Sequence, residues 1–113
     1  MSDLPDLVNQ KCTDIPPGSK GLVIPTIESY LNMLPGWDVS LDYANLHKTF
    51  KFKNYHQTLA FINAVAWIAH QQDHHPDIQF GYNQCTITLK THSIKGLSQN
   101  DVIMAAKINA LLD

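Results

Sequence analysis

Three of the six histidines in this sequence lie close together at the end of a predicted helix, and they are the side chains best suited to proton chemistry. His70, His74 and His75 fall within six residues of one another, and His92 follows at the end of a predicted strand. An imidazole has a pKa of about 6.5 in model peptides, so it can donate or accept a proton near neutral pH. Most single histidines do no chemistry, and the two isolated ones are interpreted as ordinary surface or core residues.

Two kinds of chemistry fit this pattern, and the residues alone do not separate them. His70 and His74 are four residues apart, the spacing of two ligands on one helix turn, and His92 would supply a third ligand to a metal ion. The same histidines, with Asp73 and Asp77 beside the pair and Asp101 further downstream, would alternatively transfer protons without a metal. Asp101 also fits a helix-capping pattern, and this structural role is compatible with a role in the site.

The composition predicts a single soluble domain. The chain has 113 residues, of which 44% are hydrophobic and 16% are charged, and its formal net charge is −2. All eight basic residues are lysines, whereas nucleic-acid-binding proteins favour arginine and a basic face, so we expect no direct binding of nucleic acid. There is no apolar signal core, no apolar run of membrane-spanning length, and too few cysteines for a disulfide scaffold. We therefore expect a cytoplasmic protein that does not associate with membranes.

Hydrophobic periodicity predicts three helices and two pairs of strands after an irregular lead-in. Residues 1–24 are interpreted as a surface arm without an assigned function, and residues 25–113 as one domain. The predicted elements are a helix at 25–34, strands at 37–43 and 46–52, a helix at 55–73, strands at 78–83 and 84–92, and a helix at 98–112. Antiparallel hairpins with helices on one face make an α+β fold, so we predict a four-stranded antiparallel sheet in the order α-β-β-α-β-β-α.

Local signals predict how the elements beside the histidines begin and end. Pro76 disfavours helical geometry at His75, so the central helix should end near residue 73 or 74. Ser98 and Asp101 match a capping box at the start of the last helix. Alternation in the strand 84–92 directs the odd-numbered residues to one side and the even-numbered ones, including its last residue, to the more polar side.

The central helix is predicted to bury an apolar stripe, and Trp67 is interpreted as part of the core. The residues of the stripe recur at helical spacing and are Leu59, Ile62, Val65, Ala66 and Ala69, and the stripe is widened by Phe61 and Ile68. The first two strands are predicted to form a hairpin with a tight turn at Ala44 and Asn45.

The stretch from His74 to Asp101 resembles the pterin-4a-carbinolamine dehydratase family. The family pattern has His-His-Pro after a long helix, then an aromatic residue, Thr-His at a strand end, Gly-Leu-Ser or Gly-Leu-Thr, and an Asp. All of these are present in order and at family spacing, as His74, His75, Pro76, Tyr82, Thr91, His92, Gly96, Leu97, Ser98 and Asp101. The likeness extends upstream through Trp37 and covers about residues 30–113.

Two positions depart from the family pattern. The residue four positions before the first histidine of the pair is usually acidic, and here it is His70, which could change how the neighbouring histidines titrate. The strand position at Lys48 is usually arginine, a like-charge exchange that we interpret as structural. Both departures leave the trio His74, His75 and His92 intact.

The resemblance implies a hydro-lyase that removes water from a 4a-hydroxytetrahydropterin to give quinonoid dihydropterin in tetrahydrobiopterin recycling. His74 and His92 are the expected acid–base pair, and His75 would bind substrate or relay a proton. Asp73 would orient a histidine tautomer or accept hydrogen bonds from the amino edge of the pterin. The expected supporting residues are Asp73, His70, Thr91 and Asp101. Neither proton transfer needs a metal, so no metal and no cofactor is expected.

Two other functions stay open at this point. Animal members of the family also serve as dimerisation cofactors of a homeodomain transcription factor, so the fold could be a protein-binding module acting through the helix at 55–73. A metal-binding protein built on His70, His74 and His92 is the other alternative. The resemblance also implies a dimer or tetramer, and a functional link to an aromatic amino acid hydroxylase.

Overall fold

Four antiparallel strands form one sheet in the order β1-β2-β4-β3, and the helices pack on one of its faces. A computed structural model describes residues 6–113. The elements are α1 (Ile24–Leu31), β1 (Asp38–Val39), β2 (Leu46–Lys51), α2 (Tyr55–Gln72), β3 (Asp77–Phe80), β4 (Gln84–Leu89) and α3 (Gln99–Ala110). This confirms the predicted α+β fold and the element order α-β-β-α-β-β-α. Within the described range no helix combines the length and apolar character needed to cross a bilayer.

The inner face of the sheet is built by alternate residues of its two central strands. Cys85, Ile87 and Leu89 of β4 are buried, and Cys85 and Leu89 pair with the buried Phe50 and Leu46 of β2. Side chains between them point to the other face, which is polar. The predicted alternation of the last strand is therefore confirmed over Gln84–Leu89. The helices pack on the apolar face that this alternation creates.

The first hairpin is shorter than predicted. Strand β1 has only two residues, and the chain then turns at residues 40–45 instead of at a tight turn of two residues. The Ser40 hydroxyl accepts hydrogen bonds from the backbone N–H groups of Ala44 and Asn45, and so holds a wider loop. Leu41 lies in this loop and is fully exposed at 102%. Local side-chain bonds to the backbone have replaced the end of the strand ladder here.

The buried face of α2 is narrower than the predicted stripe. Phe61, Val65 and Ala69 are buried at helical spacing, and the Phe61 ring packs on Phe50 with centroids 4.6 Å apart. Ala66 of the predicted stripe is exposed. Trp67, interpreted from the sequence as core, is 60% exposed, so that interpretation is wrong. The helix therefore turns an aromatic side chain outward.

Lys48 has the structural role expected for a like-charge exchange. Its Nζ donates hydrogen bonds to the Pro35 carbonyl and to Asn109 Oδ1, each at 2.8 Å. Trp37 Nε1 donates to the same Asn109 oxygen at 2.9 Å. Burial lowers the pKa of the Lys48 ammonium. These bonds tie β2 to the end of α3 and to the loop after α1.

The N-terminal segment packs on the domain. A short 3₁₀ helix at Leu7–Asn9 contacts α3, and Leu7 is buried in the core. Leu22 donates its N–H to the Leu97 carbonyl at 2.8 Å. Residues 1–5 of the predicted arm lie outside the described residues. The division into an arm at 1–24 and a domain at 25–113 stays a prediction.

Candidate active site

A cleft of about 510 Å³ lies where four segments meet: the end of α2, the turn after β4, the start of α3 and the N-terminal segment. Three of the six histidines line it. Its walls are formed by Cys12, Thr13, Asp14, Ile15, Gln71, Gln72, Asp73, His74, His75, Thr91, His92, Ser93 and Asn100. The cleft therefore brings the predicted trio to one place.

The end of α2 sets the position of His74. The helix ends at Gln72, and Asp73 takes the left-handed conformation with φ 52° and ψ 42°. The N–H groups of Asp73 and His74 both bond back to the Ala69 carbonyl, as in a left-handed helix cap. The predicted end of the helix is confirmed. His74 consequently leaves the helix axis and is only 8% exposed.

Asp101 joins three of the segments that form the cleft. Its carboxylate is fully buried, and its Oδ1 lies 2.7 Å from His74 Nε2. Its Oδ2 accepts from the Thr91 hydroxyl at 2.7 Å and from the Ser98 N–H at 2.9 Å. The predicted capping box is therefore present, and the same carboxylate also holds a histidine. A carboxylate on one imidazole nitrogen fixes which tautomer the ring adopts.

The turn after β4 carries His92. Strand β4 ends at Leu89, earlier than the predicted end at residue 92, and Thr91 forms an isolated bridge with Gly96. The ladder stops because Leu89 pairs with Leu46 and Thr88 with Asp77, which are the first residues of the two neighbouring strands. Beyond it, the Thr91 hydroxyl bonds to Asp101 and lies 2.6 Å from the Ser98 hydroxyl. His92 lies next in the turn with its side chain exposed. The prediction that it ends a strand is therefore wrong, although it does line the cleft.

The remaining predicted residues divide between the cleft and the surface. His75 and Asp73 are exposed and line the cleft. His70 does not line it, and lies on the outer side of α2 with its ring centroid 5.5 Å from that of Trp67. Because α2 ends before His74, the two histidines do not share a helix turn. Among residues 6–113, no three His, Cys, Asp or Glu side chains are grouped closely enough to hold a metal ion.

Sequence reasoning missed the fourth wall of the cleft. Residues 12–15 form it, and they belong to the arm that has no predicted function. No local signal in the sequence could have found this contact, because the residues that hold the segment lie far along the chain. Burial raises the pKa of the Cys12 thiol to about 11, so this side chain stays protonated at neutral pH. The thiol is consequently a neutral part of the wall and a poor nucleophile.

Relatives that are similar to this chain in sequence are named as pterin dehydratases. A provisionally named pterin-4-alpha-carbinolamine dehydratase of Hydrogenovibrio crunogenus is 66% identical over 107 residues, which are 95% of this chain and 95% of the relative. A protein of the same provisional name from Nitrosomonas eutropha is 47% identical over 113 residues, covering 99% and 98% of the two chains.

Solved structures extend the likeness to the fold. A transcriptional coactivator/pterin dehydratase from Brucella melitensis superposes with a TM-score of 0.79 at 32% identity, covering 83% of this chain and all of that one. A pterin dehydratase-like protein described as a RuBisCO assembly factor in the alpha-carboxysome gives a TM-score of 0.59 at 32% identity, over 67% and 88%. The family model described as Pterin 4 alpha carbinolamine dehydratase matches residues 22–111. This chain therefore belongs to the pterin 4 alpha carbinolamine dehydratase family.

Proposed function

We propose that this protein dehydrates a 4a-hydroxytetrahydropterin to the quinonoid dihydropterin by histidine general acid–base catalysis. In this reaction the C4a–O bond breaks as the N5 lone pair forms a double bond to C4a. The hydroxyl group leaves as water after it gains a proton, and N5 loses its proton. The step is redox-neutral, so the protein needs only a proton donor and a proton acceptor at the reacting atoms.

The observation that carries this proposal is the common cleft of His74, His75 and His92. His74 and His75 follow the end of α2, and His92 lies in the turn after β4. The buried Asp101 bonds to both of these segments. A well-placed general acid or base contributes about 10²–10⁴-fold in rate. The cleft therefore holds enough groups of the right kind for both proton transfers.

His74 is the proposed base. When its Nε2–H donates to Asp101, neutral His74 carries a lone pair on Nδ1, and this nitrogen accepts the proton from N5. The carboxylate also stabilises the imidazolium that results, as a carboxylate does behind other catalytic histidines. Burial of the pair excludes water from this side of the ring.

His92 is the proposed acid. Its exposed side chain lines the cleft and can exchange protons with solvent between turnovers. His75, also exposed, binds the substrate or relays a proton. Asp73 lines the cleft, but the carboxylate that bonds to His74 is that of Asp101. The proposed role of Asp73 is therefore to accept hydrogen bonds from the substrate. Thr91 supports the site through Asp101.

Replacing His74 or His92 by Ala is expected to lower the dehydration rate at least tenfold, because each variant removes one proton-transfer group. The measurement is the loss of carbinolamine absorbance after enzymatic oxidation of a tetrahydropterin. His56→Ala is the matched control, because His56 is exposed in the first turn of α2 and does not line the cleft. Rates equal to wild type in both site variants would reject the assignment, and so would an equal loss in the control.

We propose that the substrate comes from an aromatic amino acid hydroxylase, and that the reaction takes place in the cytoplasm as part of tetrahydrobiopterin recycling. A hydroxylase that uses its pterin to activate oxygen releases the 4a-hydroxylated form, which must lose water before it can be reduced again. A dehydratase catalyses this loss of water, and it needs no redox group because the step is redox-neutral.

We also propose that the protein self-associates through the outer face of α2. Ala60, Asn63 and Trp67 are exposed at helical spacing, and the Trp67 indole is the largest side chain among them. Large exposed aromatic residues are enriched at protein interfaces. The same face would serve a protein-binding role, and one solved relative is named a transcriptional coactivator as well as a pterin dehydratase.

Trp67→Ser is expected to shift the protein from a dimer or tetramer toward the 12.7 kDa monomer in analytical ultracentrifugation. The substitution removes the aromatic contact area without touching a buried residue. Leu41→Ser is the control, since Leu41 is a fully exposed apolar residue on the loop after β1. An unchanged mass for Trp67→Ser would place the interface elsewhere.

A further inference from the structure

The N-terminal segment at the cleft is held by side chains from α2, from α3 and from the turn after β4. Thr13 donates its N–H to Asn100 Oδ1 at 3.0 Å, and its carbonyl accepts from Asn100 Nδ2 at 2.6 Å. The Cys12 N–H donates to Gln72 Oε1 at 2.8 Å, and the Ser93 hydroxyl donates to the Ile15 carbonyl at 2.6 Å. Residues 12–15 are therefore fixed against the cleft by their backbone.

Each anchoring residue is next in sequence to a residue of the candidate site. Gln72 precedes Asp73, Ser93 follows His92, and Asn100 precedes Asp101. The segment therefore keeps a fixed position relative to the imidazoles, because the same backbone carries both the anchors and the site residues.

Asp14 is the charged residue of this segment. Its side chain is exposed and lines the cleft, and the backbone is anchored at the residues on both sides of it. Cys12, Thr13 and Ile15 are neutral. In the described part of the chain the ion pairs are His74–Asp101 and Lys90–Asp77, and neither involves Asp14. The segment thus presents one carboxylate to whatever occupies the cleft.

We propose that Asp14 is a specificity-determining residue that binds the 2-amino and N3–H donors of the pterin ring. This inference rests on the function proposed above. A 2-amino-4-oxopyrimidine ring carries these two N–H donors side by side, and a carboxylate can accept both in one plane. The 2-amino group projects from the ring atom opposite C4a, so the group that binds it should come from a different segment than the imidazoles around C4a. Residues 12–15 are such a segment.

The test compares binding of pterin with that of lumazine, in which a carbonyl oxygen replaces the 2-amino group. Dissociation constants are measured by calorimetry for wild type, Asp14→Asn, Asp73→Asn and Asp38→Asn. Wild type is expected to prefer pterin by about tenfold or more, because lumazine puts an acceptor against the carboxylate. Asp14→Asn is expected to reduce this preference to about threefold or less, because an amide can donate to the lumazine oxygen. Asp38 is an exposed carboxylate of β1 outside the cleft, so its variant should behave as wild type.

Several results would overturn the inference. Unchanged preference in Asp14→Asn, or an equal loss of affinity for both compounds, would show that Asp14 does not bind this edge. Loss of the preference in Asp73→Asn alone would assign the edge to Asp73 instead. Because these compounds do not react, the outcome is separate from turnover. A wild-type protein that binds pterin selectively but fails to dehydrate the carbinolamine would overturn the proposed function and leave the role of Asp14 standing.

Discussion

Asp101→Ala is expected to lower the free energy of unfolding by about 3–5 kcal/mol, because three groups lose a hydrogen bond to a buried carboxylate and each loss costs about 1–3 kcal/mol. The carboxylate is fully buried and bonds to His74, to the Thr91 hydroxyl and to the Ser98 N–H. Alanine removes the acceptor that these three groups share at a fully buried position. It also removes half of the capping box of α3.

Urea denaturation followed by circular dichroism measures this loss. Asp38→Ala is the matched control, since Asp38 is exposed on β1 and a surface substitution of this kind changes stability by about 0.5 kcal/mol or less. A loss below about 1 kcal/mol in Asp101→Ala would contradict the view that this carboxylate joins the segments of the site.

The sequence was sufficient to predict the features that depend on local signals. The capping box at Ser98 and Asp101 is a local motif, and it is present as predicted. The end of α2 follows from Pro76, which restricts the residue before it, and the helix ends at Gln72. The element order follows from periodicity in long segments, which gives the strongest secondary-structure signal.

The features that depend on contacts between distant residues could not be predicted in this way. The bond between His74 and Asp101 joins residues 27 positions apart, and the family resemblance, not the spacing, brought His92 to the same site. The anchors between Thr13 and Asn100 join residues 87 positions apart. Helical spacing grouped His70 with His74, but the left-handed residue between α2 and His74 separates them.

Asp101 has a structural role and a proposed catalytic role, and the two roles use different oxygen atoms of its carboxylate. The capping role uses Oδ2, which accepts from Ser98 and Thr91, whereas the contact with His74 uses Oδ1. A substitution that keeps the Oδ2 bonds but changes the group at Oδ1 would therefore separate the two roles. Asparagine is such a substitution, because its amide has the shape of the carboxylate with one acceptor and one donor.

Asp101→Asn is expected to lower kcat by about 10²–10⁴-fold, with little change in KM. Its carbonyl oxygen should take the Oδ2 position, where two donors point at it, which places the NH₂ group against His74 Nε2. That nitrogen must then accept a hydrogen bond, so the ring proton moves to Nδ1 and the base loses its lone pair. The free energy of unfolding should fall less than in Asp101→Ala, because both Oδ2 bonds are kept.

A double-mutant cycle tests whether the loss in Asp101→Asn acts through His74. If the amide works by inverting the tautomer, then Asp101→Asn combined with His74→Ala should be no slower than His74→Ala alone, because the base is already gone. Additive losses would mean that Asp101 affects the rate by another route. A wild-type kcat in Asp101→Asn would show that the tautomer of His74 is not what the reaction depends on, and His74 would then lose its proposed role as the base.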